Sequence, residues 1–240
     1  MTAGRSGRAA PLGLPRLHLR TTTSTNDRAR VLASAGAPHG TLVTADEQSA
    51  GRGRQGRAWS APPGHALLLS VVLRDPPTLL PLHAAVAVAQ TVAGAAPTAT
   101  VGIKWPNDVH LDGRKVAGIL TEGRPQEGWA VLGVGLNVAV RLADLPPELH
   151  DTAASLGLEP SQRNAVLAVL LDELAAALAL SSGDLLDAWR ARDVLRGREV
   201  RWAGGAGTAA GVDGDGRLVV ELDGGGRTAL DAGEVHLGRI

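Results

Sequence analysis

Three residue types are missing from this 240-residue chain: it has no Cys, no Phe and no Tyr. Without Cys there is no disulfide framework, no thiolate metal site, no Cys nucleophile and no redox thiol pair. Without Phe and Tyr there is no stacking platform of the kind that single-strand RNA modules use. The core must be packed from Leu, Val and Ala, which makes each of the five Trp worth locating. An excess of one charge is missing too. Lys plus Arg is 24 and Asp plus Glu is 24, whereas nucleic-acid binders usually carry a basic surplus. Long apolar runs are also absent. Leu79–Ala96 is interrupted by Pro81, His83 and Gln90, and Ala165–Leu180 by Asp172 and Glu173, so neither reads as a membrane span. Residues 1–17 carry Arg5, Arg8 and Arg16 among Gly, Ala and Pro, without the apolar stretch of a secretory signal. They read as a disordered tail, and the expected compartment is the cytoplasm.

What remains is ordinary for a globular protein, with 44% hydrophobic and 20% charged residues. The length suits one large domain with a small appendage. Short Val- and Leu-rich segments predict strands at Thr41–Ala45, Ala66–Leu73, Thr100–Trp105, Lys115–Thr121 and Trp129–Val134. Helices are predicted over Asn26–Ala35, Leu82–Ala95, Ser161 to about Leu180, and Gly183–Arg192. Thr25 or Asn26 is expected to cap the first, Gly36 to end it, and Ser161 to cap the third. Val166, Leu167, Leu170, Leu171, Leu174 and Leu178 form one apolar stripe on that third helix. Beyond about Val194 the texture changes to short strands, at Arg198–Trp202, Thr208–Val212, Leu218–Leu222 and Thr228–Leu230, separated by Gly-rich turns. This pattern predicts a small antiparallel barrel over residues 195–240, after a main domain at 18–194.

Two stretches stand out chemically. In Gln48–Trp59, three Arg and three Gly alternate between Gly51 and Arg57. Glycine lets a ligand approach backbone N–H groups, and arginine supplies forked, permanent positive charge, so together they form a flexible anion clamp. A solvated basic loop and an RGG-like nucleic-acid contact are the other readings. The sequence is neither a Walker A loop nor a dinucleotide fingerprint. In Lys104–Glu122, Asp112-Gly113 between alternating apolar runs predicts a hairpin that pairs Asp108–Leu111 with Arg114–Thr121. Pro106 keeps Trp105 extended, which delivers Lys104, Asn107 and Asp108 to one end of a sheet. A lysine there is either a surface charge or a stabiliser of developing negative charge. A weaker signal is Gly133-Val-Gly-Leu-Asn137, where glycines inside a strand mark a close approach.

In order and spacing these pieces resemble the biotin protein ligase family. The matching motifs are Ser24-Thr-Asn26, Gln48 with Gly51-Arg-Gly-Arg-Gln-Gly-Arg57 and Trp59, Lys104-Trp-Pro-Asn-Asp108 with Lys115-Val-Ala-Gly-Ile-Leu120, and Gly133–Asn137. The resemblance covers about residues 18 to 240. It implies an α+β fold: a mixed sheet flanked by helices, as in a class II synthetase-like catalytic domain, with a small C-terminal SH3-like β-barrel. It also implies formation of biotinyl-5′-AMP from biotin and MgATP, followed by transfer of biotin to a lysine of a biotin carboxyl carrier domain. Ser24, Thr25, Asn26, Gln48, Arg52, Gly53, Arg54, Lys104 and Gly118 would hold biotin. Arg52, Arg54, Arg57, Trp59, Asn107 and Asn137 would hold the nucleotide, with Lys104 and Arg52 catalytic.

Joining two anions needs cations to offset their repulsion, and an acyl-adenylate must be kept from water. A loop that closes over ligand does both. Loop 48–59 is therefore expected to be mobile when free and ordered by ligands. The stretch before Ser24 is too short for a winged-helix DNA-binding domain, so no DNA partner is expected. No membrane partner is expected, and the chain is read as a monomer or weak homodimer. The seven His show no metal spacing; no metal site is assigned, and Mg2+ would arrive with ATP. His65, in the Gly64-His-Ala segment that departs from the family pattern, reads as a solvent-facing loop residue. A lipoate-protein ligase of the same superfamily is one alternative, and a non-catalytic nucleic-acid-binding protein using the Gly/Arg loop is another.

Overall fold

The computed structural model describes residues 11–231 and 235–237. Its first sheet has seven strands: β1 (Arg16–Thr22), β2 (Leu42–Gln48), β3 (Ala66–Arg74), β4 (Val101–Lys104), β5 (Asp108–Leu111), β6 (Arg114–Arg124) and β7 (Trp129–Asn137). Their spatial order is β1-β2-β3-β7-β6-β5-β4. The β1–β2 pair is parallel and the others antiparallel, so the sheet is mixed. Among the described residues four α-helices accompany it: α1 (Thr25–Ser34), α2 (Leu80–Ala95), α3 (Arg163–Leu178) and α4 (Ser182–Arg190).

β3 explains the layering. All of its residues but the last are buried, as in a strand covered on both faces. Leu69, Val71 and Leu73 face the large core with α2 and α3. Val72, on the opposite face, joins Val43, Trp129 and Val131 beneath Ala29 and Ala33 of α1. Ala66 and Leu68 on that same face belong to a third cluster, against which Trp59 packs. Ser70 lies between these two apolar groups and is fully buried.

Helix ends show where side-chain chemistry has been diverted. α1 closes as expected: Gly36 has φ +87, Gly36 N donates to Ala33 O, and Ala37 N donates to Leu32 O, a Schellman ending. Its start corrects the expectation. The N-cap is Ser24, and no side chain caps the helix, because Thr25 and Asn26 bond elsewhere in the site. Nor does Ser161 cap α3. A 3-10 turn, Pro160–Gln162, precedes that helix, and Glu159 and Gln162 form the capping box. The apolar stripe holds: Val166, Leu167, Leu170 and Leu174 are buried. The tail is shorter than expected, because β1 starts at Arg16 and Gly13 N already donates to Gly40 O. Residues 1–10 lie outside the described residues. β1 escaped notice because it lies at the sheet edge with most of its side chains exposed, and its alternation is limited to Leu17 and Leu19.

The second sheet comprises β8 (Glu199–Trp202), β9 (Gly205–Val212), β10 (Leu218–Leu222), β11 (Arg227–Leu230) and β12 (His236–Leu237), in the order β11-β10-β9-β8-β12. All its pairings are antiparallel. Residues 232–234 and 238–240 of the expected barrel lie outside the described residues. This sheet shares the main core through Val200, Ala209, Leu218 and Val220. The tie at this junction is Trp105, only 2% exposed, whose indole N–H donates to Gly216 O at 3.0 Å. Trp189 is fully buried and Trp202 packs against the same core. No described helix is long and apolar enough to cross a membrane.

His83 of α2 is buried and its Nδ1 lies 2.7 Å from Ala177 O of α3; the imidazole N–H donates across the helix pair. Burial holds its pKa below the ordinary value, against this hydrogen bond, which raises it. The unfolded chain then takes up the proton more readily than the folded one. Stability from this group is full above the unfolded pKa of about 6.5 and is lost as pH falls through the lower folded value. Urea midpoints should therefore drop from pH 7.5 to 5.5. His83→Leu should flatten that drop, and an unchanged slope would contradict the assignment.

Candidate active site

The site is a trough in the sheet face that carries Ser70, and small residues on adjacent strands dig it. Gly118 of β6 pairs with Gly135 of β7, and Leu120 with Gly133; Gly133 pairs with Ser70 of β3. The space left by the missing side chains is filled by the protein itself. A Cβ on Gly133 would collide with the Asn26 amide. One on Gly135 would lie 2.5 Å from Trp59 Cε2, and one on Gly118 3.1 Å from Trp59 Cζ3. The close approach expected at these glycines is thus made by side chains of the chain itself. The cleft measures about 440 Å3, within the usual range for small-molecule sites.

At one end the start of α1 is knitted to the sheet. Thr25 donates its backbone N–H and its hydroxyl to Gln48 Oε1, at 2.7 and 3.0 Å. The Ser70 hydroxyl lies 2.6 Å from Asn26 Oδ1 and 2.9 Å from Thr25 Oγ1. Asn26 Nδ2 donates to Glu122 Oε2 at 2.8 Å and to Leu120 O at 3.3 Å. Asn26 therefore spends both ends of its amide on protein. With Gln48 Oε1 engaged, the Gln48 amide N–H groups are left to donate within the cleft it lines.

The Gly/Arg loop crosses above as a small hairpin of its own. Arg52 bridges Ala58, Gly53 N donates to Arg57 O, and Trp59 N donates to Gly51 O. Arg52 Nη2 reaches Glu122 Oε2 at 2.7 Å and Asp27 Oδ1 at 2.8 Å. Arg54 Nη1 donates to Asn107 Oδ1 at 3.3 Å, while Asn107 Nδ2 donates to Ile119 O. Asn107 thus orients an arginine as well as bordering the cleft. Trp59 lies along the trough with its indole N–H buried and without a protein partner.

At the other end the Asp112-Gly113 hairpin forms as expected, both residues at positive φ, the type I′ geometry. It sets Lys115 beside the cleft, with Nζ 2.7 Å from Asp108 Oδ1 and 5.8 Å from the Trp59 ring centroid. Lys104 ends β4, pairs in register with Asp108, and also lines the cleft. Burial lowers the pKa of His110, with Lys104 and Lys115 adding to it; its contact with Gly113 O and the Asp108 charge oppose the shift. Asn137 is 4% exposed; its Nδ2 donates to Ala154 O and its Oδ1 is buried without a protein partner. That leaves an unused acceptor on a residue lining the cleft.

The cleft borders on every residue expected in it: Ser24, Thr25, Asn26, Gln48, Arg52, Gly53, Arg54, Arg57, Trp59, Lys104, Asn107, Gly118 and Asn137. Arg57 is exposed and Trp59 half-buried. His65 is half-buried, with Nδ1 2.8 Å from Pro63 O. Residues given no role from sequence are Ser70, Lys115, Asp108, Asp27 and Glu122. The signal for Ser70 was a hydroxyl inside an otherwise apolar strand, and that for Lys115 its place just past the predicted turn.

Comparison with known proteins identifies the family. Residues 18–138 match the biotin/lipoate A/B protein ligase family. The chain is 40% identical over 235 residues to the biotin–[acetyl-CoA-carboxylase] ligase of Mycobacterium tuberculosis, covering 90% of this chain and 86% of that one. It is 44% identical over 142 residues to the bifunctional ligase/repressor BirA of Bacillus subtilis, but that match covers only 43% of the relative's length. The fold superposes on the Aquifex aeolicus biotin protein ligase in complex with biotin and ATP at a TM-score of 0.79, with 26% identity, over 95% of this chain and 100% of that one. By sequence, by fold and by the residues gathered in its cleft, the chain belongs to the biotin/lipoate A/B protein ligase family, among its biotin protein ligases.

Proposed function

We propose that the chain activates biotin with ATP to biotinyl-5′-AMP and transfers biotin to a lysine of a biotin carboxyl carrier domain. The observation that carries this is the cleft itself: amide and hydroxyl groups at the α1 end, an indole lying on a glycine floor between, and cations toward the hairpin. A fused-ring urea suits the first two, and a carboxylate meeting a phosphate suits the third. The biotin carboxylate oxygen attacks the α-phosphorus as the bond to pyrophosphate breaks. Lys104, Lys115 and Arg54 offset the converging negative charge, worth several kcal/mol once the bound substrates and the loop exclude water. In the second step the carrier amine attacks the acyl carbon, AMP departs, and the nitrogen loses a proton. Magnesium would arrive with ATP and keep most of its waters.

The test is ATP–pyrophosphate exchange, run with biotin and with lipoate in parallel on the full chain. Exchange that depends on biotin and is absent with lipoate is expected. Exchange with lipoate alone would move the chain to the other branch of its family, and exchange with neither would end the ligase reading.

A further inference from the structure

Asp27 and Glu122 lie at the end of the cleft where α1 meets the sheet, and neither belongs to the motifs that mark the family in this sequence. Carboxylates beside a cleft for anionic substrates work against binding unless cations neutralise them. Here two arginines do so. Arg52 contacts both carboxylates through Nη2, while Arg30 lies 3.8 Å from Asp27 Oδ1 and 3.7 Å from Glu122 Oε1. Two acids and two arginines leave the cluster with no net charge, so its contribution is one of geometry. Glu122 is itself fixed, since Oε2 also accepts from Asn26 Nδ2, and Asn26 is held by the fully buried Ser70. Arg52 Nε remains buried and without a protein partner beside the cleft.

The loop's internal pairing extends this hold. Because Arg52 bridges Ala58 and Trp59 N donates to Gly51 O, fixing one strand of the small hairpin fixes the other, and with it the indole. We infer that Asp27 and Glu122 are positioning residues that tether the Gly/Arg loop through Arg52. Their role is retention of biotin and the acyl-adenylate under the loop, not the chemical step. This inference rests on the biotin ligase reading.

Asp27→Asn, Glu122→Gln and the double variant test it on the full chain. The readouts are kcat and biotin KM in pyrophosphate exchange, and the rate of trypsin cleavage within the loop. The side chains of Arg52 and Asp27 are 36% and 43% exposed, so solvent screens their pairing and limits the effect. For the double variant, biotin KM should rise about tenfold, equivalent to about 1.4 kcal/mol, with kcat essentially kept and loop cleavage faster. Glu199→Gln, which removes an ion pair with Arg201 in the second sheet, should change none of these. Unchanged KM and cleavage in the double variant would overturn the tether; so would a fall in kcat at unchanged KM, which would place the acids in the chemistry. If the double variant does not melt cooperatively, Asp27→Asn alone decides, because its side chain is outside the core. A wild-type chain with no biotin-dependent exchange would refute the ligase reading, while the cleavage comparison would still judge the tether.

Discussion

Lys115→Ala should leave the fold intact and cut biotin-dependent pyrophosphate exchange by roughly 10²–10³-fold, the usual cost of removing a group aimed at developing charge. The Lys115 stem reaches across the hairpin to a cleft wall that it shares with Asp108 and Trp59. Truncation removes the cation and leaves the Asp108 carboxylate facing the approaching anions, so attraction turns to repulsion. Lys104→Ala is expected to act in the same direction while preserving the fold, since Lys104 is the last residue of its strand. Comparing the two variants apportions the charge stabilisation. Near-normal exchange in either would remove that lysine from the catalytic role. Asp108→Asn separates the effects further: it keeps both cations and should be milder than either lysine truncation.

Gly133→Ala should damage both stability and activity, although it adds one methyl group. That methyl would fall on the side-chain amide of Asn26, which Ser70, Glu122 and Leu120 hold in place. Nothing there yields cheaply. Overpacking costs about 1–3 kcal/mol, and Tm should fall by about 2–4 °C per kcal/mol for a chain of this size. Gly135→Ala provides the contrast. Its neighbour is the Trp59 indole, held by a surface loop and not by the buried network around Asn26, so Tm should fall less while biotin KM rises. Equal Tm losses in the two variants would contradict the account of what fills the trough.

These expectations show what could be read from residues alone. Strong local signals translated directly. Asp112-Gly113 became the predicted hairpin, Gly36 ended α1, and the Leu stripe of α3 turned inward. The cleft assembled from motifs because each is a contiguous string of unusual composition. Other features depend on contacts distant in sequence and left no local mark. Asn26 resembles a cap, and only the arrival of β3 and β6 beside it gives its amide better partners. Trp105 looks like part of the site until the second sheet places a carbonyl above its indole. Asp27 and Glu122 are 95 positions apart (122 − 27) and look like surface charges until the loop folds Arg52 between them.

The shortage of aromatic residues has an optical consequence. With no Tyr or Phe in the chain, near-ultraviolet absorption and emission come from five indoles alone. Trp105, Trp129 and Trp189 are 2%, 3% and 0% exposed, and Trp202 belongs to the second sheet, which leaves Trp59 as the indole bordering the cleft. Its ring rests on two glycines with Lys115 nearby, so any movement of the loop changes the polarity around a single fluorophore. The native protein therefore contains its own spectroscopic reporter of loop position, and stopped-flow emission can follow closure without a label.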